Sequence, residues 1–197
     1  LTARIIFGDV KHPQSDFVYT DLSTEFKGYR FDGKESTYQG EVTGEGGYVY
    51  AEPGMYENVA VLDVASMHPT SIEQLNLFGE YTPNYTALTA ARLAIKHREY
   101  DIARLMMDGR LAPYLKDEKD AKALSDALKI VVNSVYGLTS AKFDNRFRDI
   151  RNKDNIVAKR GALFMIDLQF KVQELGFKVV HIKKDSIKLP DATPELI

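Results

Sequence analysis

The sequence predicts an α+β fold, and three observations carry the prediction. An apolar run with alternation, Val59, Val61 and Leu62, ends in a single carboxylate, Asp63, as a strand reaching a turn would. Two later stretches, residues 86 to about 107 and 119 to 136, repeat apolar residues at helical spacing. Residues 177–182 and 187–189 then read as the arms of a hairpin with Lys184 and Asp185 at its tip.

The composition bounds what such a fold can be. A chain of 197 residues with 44% hydrophobic side chains holds enough apolar surface for a core, in one domain or two small ones. The absence of cysteine excludes disulfides and thiolate metal sites, and a reducing cytoplasm is the natural compartment. No signal peptide and no long apolar run that could span a bilayer is found, so no membrane partner is expected. The net charge of −2 hides an asymmetry. Residues 1–82 carry 5 basic and 13 acidic side chains, net −8, and the rest carry 21 and 15, net +6. The basic part could meet a polyanion, although helical faces rich in Lys and Glu are commonly just solvated.

Taken in order, residues 1–7 (LTARIIF) lack a start methionine and read as the tail of an apolar element, so the natural polypeptide is expected to continue upstream. Residues 16–47 give loop signals and little periodicity. His12 reads as a surface histidine, since no second His or Cys stands at metal spacing. In the first helix Leu88, Ala91, Ile95, Ile102 and Leu105 form the apolar stripe, and Asp108-Gly109 ends it. Arg92 and Lys96 stand at i and i+4, on one face. In the second helix Leu124, Leu128, Val131 and Val135 are the expected buried stripe, while Lys129, Asn133, Tyr136 and Gly137 share a separate face. A short loop near 111–116 makes the two helices an antiparallel hairpin. Seven basic residues follow between Lys142 and Arg160, Lys153 among them, then a helix from about Asn155 to Leu175 ended by Gly176.

The chemistry begins at residues 58–71, NVAVLDVASMHPTS. A strand that ends in an acid before a helix start can hold a metal at the sheet edge and aim backbone N–H groups at phosphate. It can equally be an acid that caps a strand end or a turn, and both readings stay open for Asp63 taken alone.

Its distant company is more specific. NSVYG at 133–137 follows Lys129 by four residues, and HIKKDS at 181–186 lies between two strand-like runs. In this order the three segments resemble motifs A, B and C of the family B (alpha-like) DNA polymerases, with patterns near D-x-x-S-L-Y-P-S, K-x-x-x-N-S-x-Y-G and Y-G-D-T-D-S, and they look most like a bacteriophage member. The resemblance covers roughly residues 46–190, and motif B matches at every fixed position. There are departures. His68 replaces the usual tyrosine of motif A, Lys183 and Lys184 stand where the first Asp and the Thr of motif C would be, and Gly44 replaces the tyrosine of a Y-x-G-G element.

The resemblance implies a polymerase palm, an antiparallel sheet with packed helices, carrying an inserted two-helix fingers hairpin. Residues 1–57 would lead into the palm, 58–85 would be palm with motif A, 86–137 fingers, and 138–197 palm with motif C. The exonuclease and thumb domains of the family do not fit within this chain. It further implies Asp63 and Asp185 as catalytic ligands of two Mg²⁺ ions, with the Val64 carbonyl as a further contact. Arg92, Lys96 and Lys129 would hold the incoming triphosphate, with N–H groups of Ser66 and Met67 and the flat ring of His68 beneath the sugar. Asn133, Tyr136 and Gly137 would line the nascent base pair. Hard oxygen ligands and the absence of cysteine suit Mg²⁺.

The implied function is template-directed addition of dNTPs to a primer 3′-hydroxyl in DNA replication, with primer-template DNA and dNTPs as partners and the host cytoplasm as the place. The alternative is a catalytically silent palm and fingers fragment that binds nucleotide or DNA. A reverse transcriptase fits less well, because K-x-x-x-N-S-x-Y-G stands between the two acids. The chain by itself is expected to extend a primer barely above background and to expose apolar surface near residues 177–189.

Overall fold

A computed structural model gives the arrangement of residues 1–152 and 154–196, so Lys153 lies outside the described residues. In chain order the elements are α1 (Thr2–Phe7), α2 (Leu22–Glu25), β1 (Arg30–Phe31), β2 (Ser36–Tyr38), β3 (Glu41–Thr43), β4 (Val49–Ala51) and β5 (Val59–Asp63). They continue with α3 (Met67–Gln74), α4 (Thr82–Lys96), α5 (Tyr100–Leu105), α6 (Glu118–Thr139), α7 (Ile156–Glu174), β6 (His181–Lys183) and β7 (Ser186–Pro190). The fold is mixed α+β, with antiparallel sheets and packed helices. Two compact units are formed, Leu1–Tyr19 with Ile72–Arg151 and Thr20–Ser71 with Asn152–Ile197. Among the described residues no helix is long and apolar enough to cross a membrane.

The helical unit is built on α4 and α6. Pro83 opens α4 where a missing N–H costs nothing, and Tyr85, Leu88, Ala91, Ala94 and Ile95 form its buried stripe. The Tyr85 hydroxyl donates to the Val132 carbonyl of α6 at 3.4 Å, which fixes the register of the two helices. At the start of α6 the Asp117 carboxylate accepts from the Asp120 N–H at 2.8 Å, and Glu118 and Asp120 complement the positive helix end. Behind them Phe7, Phe17, Phe78, Tyr81 and Phe147 join in edge and tilted contacts with centroids 5.0–5.9 Å apart.

Two sequence expectations are corrected here. The helix read over 86–107 stops at Lys96, and α5 is a separate short helix. Arg98 takes the left-handed conformation (φ 62), its N–H reaches Ile95 O at 3.0 Å, and the Glu99 N–H reaches Ala94 O at 2.9 Å. That is the helix stop usually made by glycine, formed here by an arginine, so no glycine signalled it. The phase resets beyond it, leaving Ile102 and Leu105 exposed and Ala103 buried. In α6 the buried stripe is Ala121, Leu128, Val132 and Val135, with Leu124 and Val131 at its margin.

The second unit holds a small β1-β2-β3 sheet and a four-stranded sheet of order β4-β6-β7-β5. The small sheet lies in the segment read as loop, because strands of two or three residues leave no period to detect. In the larger sheet Leu62 pairs Ile187, Ile187 pairs Ile182 and Ile182 pairs Tyr50, forming one row of one face. Ile182, Ile187 and Leu189 are buried, as are Val157, Leu163, Met165 and Ile166 of α7. The expected apolar exposure near 177–189 is therefore not found: Val179, Val180, Ile182, Ile187 and Leu189 are all buried in this unit. The Asn155 side chain caps α7 by accepting from the Ala158 N–H, and Gly176 (φ 88) takes the left-handed conformation after its end.

Candidate functional site

The sheet brings the two candidate carboxylates to one edge. Asp63 is the last residue of β5 and pairs Ser186, the first residue of β7. Asp185 stands in the two-residue turn between β6 and β7, and the Val64 N–H donates to the Asp185 carbonyl at 2.8 Å. Both aspartates are exposed. On the same face, Asp63, Ser186, Lys183 and Val49 form one cross-strand row, so Lys183 stands two strands from Asp63, roughly 10 Å at ordinary strand spacing. Lys184 precedes Asp185 in the left-handed conformation (φ 58) and passes over Gly47. A Cβ on Gly47 would lie 3.5 Å from the Lys184 Cγ.

Next to this edge, Ser66 precedes α3 in the left-handed conformation (φ 52), uncommon for a residue with a side chain. Its carbonyl accepts from the Thr70 N–H at 2.9 Å, which starts the helix. Met67 is buried against Gly161 of α7, and His68 is half-buried. Burial holds the His68 imidazole below its ordinary pKa; the Asp185 charge pulls the other way and Lys184 adds to the depression.

Among the described residues no group of three or more His, Asp or Glu side chains could by itself hold a metal. The Asp63 and Asp185 carboxylates with the Val64 carbonyl offer only hard oxygens. A Mg²⁺ ion keeps several waters and takes the rest of its shell from phosphate, so this donor set fits it.

The other candidates lie on the helical unit. Lys129, Asn133 and Gly137 are exposed on α6, and Tyr136 is half-buried. Lys96 lines a groove of about 560 Å³ with Arg98, Lys119 and Lys122 against Glu118 and Asp126, which Arg92 and Lys129 do not line. The Arg92 Nε is buried and meets no partner among the described residues.

Among the described residues, most basic side chains of the segment 142–160 are committed to contacts within the protein. Arg146 donates to the Gly8 and Val10 carbonyls, Arg148 to Ala141 O, and Arg151 to Asp149 and Phe17 O. Arg160 pairs with Glu25 at 3.0 Å, and Lys159 is buried. The sequence marked Lys159 only as one of seven basic residues in this run; the signal of its burial is a place among the small and apolar residues Val157, Ala158, Gly161 and Ala162.

No protein-family model matches the chain. The chain is similar to DNA polymerase II of Escherichia coli (strain K12), 30% identical over 156 residues. The match covers 72% of this chain and 19% of that protein.

Proposed function

We propose that this chain supplies the palm and fingers of a family B DNA polymerase, of the type found in bacteriophages, working in the host cytoplasm. The observation that carries the reading is the juxtaposition of Asp63 and Asp185 at one sheet edge, joined through Val64 N–H to Asp185 O. The similarity to DNA polymerase II supports it.

Asp63, Asp185 and the Val64 carbonyl would hold two Mg²⁺ ions. When bound, such ions lower the pKa of the primer 3′-hydroxyl and neutralise charge on the triphosphate and its leaving group. The chain's own residues bind and orient. Arg92 would present its guanidinium to a phosphate oxygen, forking where Lys96 and Lys129 act as point charges. The backbone N–H groups of Ser66 and Met67, at the start of α3, would donate to phosphate oxygens as well. The flat His68 ring, whose protonation burial disfavours, would lie under the deoxyribose. Asn133 and Tyr136 would border the nascent base pair, with Gly137 allowing close approach.

The test is primer extension on a primed template with Mg²⁺ and dNTPs, using the full translation product of the reading frame that holds this sequence. Extension that is abolished by Asp63→Ala or Asp185→Ala, with DNA affinity unchanged within about twofold, is the expected result. Binding of DNA and dNTP without extension in the wild type would favour the silent-fragment reading.

A further inference from the structure

We propose that Lys159 is a positioning residue for the turn that carries Asp185, acting through the loop 43–48; the inference rests on the reading of Asp185 as an ion ligand. Lys159 stands in the first turn of α7 and is 3% exposed. Its ammonium donates to Thr43 O (3.2 Å), Thr43 Oγ1 (3.2 Å) and Gly44 O (2.9 Å), so all three donors are used. The Asp154 carboxylate, 3.8 Å away, is its counter-charge.

The same helix grips the other end of this loop. Tyr48 is 1% exposed, and its hydroxyl donates to Gln169 Oε1 at 2.8 Å; Gln169 is 3% exposed. Between the two grips the loop closes through a Gly44–Gly47 bridge, and Gly47 has φ 129. The Tyr48 carbonyl then accepts from the Lys184 N–H at 3.0 Å. Asp185 is thus held from two sides, through Lys184 by the loop and through Val64 by β5.

A buried ammonium is costly, and an apolar residue would fill a helix face at less cost. Here the cation is spent on two carbonyls and a hydroxyl of one short loop, which fixes that loop against α7. The turn it supports needs such support: Lys184 lies in a conformation disfavoured for any residue with a Cβ, and would relax if Tyr48 O moved away.

Amide hydrogen exchange and Mn²⁺ line broadening, followed by NMR on the 197-residue chain, test the link. In Lys159→Met the Lys184 and Val64 amides should exchange at least about tenfold faster, while amides within α7 stay within about twofold. Tyr48→Phe, which keeps the ring and loses only the hydroxyl, should accelerate the same two amides less, and it decides the matter should Lys159→Met not fold. The Mn²⁺ concentration that half-broadens the Ser186 amide should rise at least about fivefold in both variants. Unchanged exchange at Lys184, or acceleration spread evenly over the unit, would overturn the positioning role even with Mn²⁺ binding intact. Absence of Mn²⁺ broadening at Ser186 in the wild type would instead strike the ion-ligand reading, and the positioning role that depends on it.

Discussion

Gly161 is a direct probe of how the start of α3 is held. A Cβ added there would lie 2.7 Å from the Met67 Sδ and 3.1 Å from its Cγ, about 1 Å inside ordinary contact. The obstacle is a flexible thioether, but Met67 is only 8% exposed and has little space to move into. Forcing it off its rotamer should cost about 1–3 kcal/mol, offset by about 1 kcal/mol of helix propensity gained on replacing glycine. Gly161→Ala should therefore destabilise by roughly 1 kcal/mol. In a Met67→Ala background the obstacle is gone, and the same substitution should stabilise by about 1 kcal/mol, a coupling of roughly 2 kcal/mol. Urea midpoints of the four proteins at constant m measure it. Stabilisation of equal size in both backgrounds would refute the reasoning, since it would mean that Met67 does not need the missing side chain.

Asp117→Ala removes the acceptor for the Asp120 N–H and should cost about 1 kcal/mol, read from the thermal or urea midpoint. Burial raises the pKa of the Tyr85 hydroxyl, so the folded state keeps a proton that the unfolded state releases near pH 10. Stability from this group is fully present below pH about 10 and should fall by up to about 1.4 kcal/mol per pH unit above it, with Tyr85→Phe removing that share of the slope in urea titrations between pH 8 and 11. Lys129→Ala, on an exposed helical position, should change stability by less than about 0.5 kcal/mol yet weaken dNTP binding roughly tenfold or more in a fluorescence titration.

Much of the frame was legible because the signals were local. Asn155 and Gly176 mark the ends of α7, and the hairpin tip at Lys184 and Asp185 follows from two apolar runs around a polar pair. That Asp63 and Asp185 come to one edge could be expected from a strand that ends in one acid and a hairpin that turns at the other. What escaped was set by tertiary structure. Arg98 makes a helix stop without glycine, because the backbone bonds of the motif outweigh the strain on one left-handed residue. Arg146, Arg148 and Arg151 were legible only as members of a basic run, and each is committed to backbone carbonyls that the fold brings near. Lys159 escaped for the same reason, since its acceptors lie in β3 and the loop after it.

The central claim is that Asp63 and Asp185 act together on a divalent ion, and paramagnetic broadening by Mn²⁺ tests it most directly. Titrated into the 197-residue chain at neutral pH, Mn²⁺ should first broaden the amides of Val64, Asp185 and Ser186, and Asp63→Asn and Asp185→Asn should each raise the concentration required by about tenfold or more. Broadening centred elsewhere, or unchanged at these amides in either variant, would contradict the account.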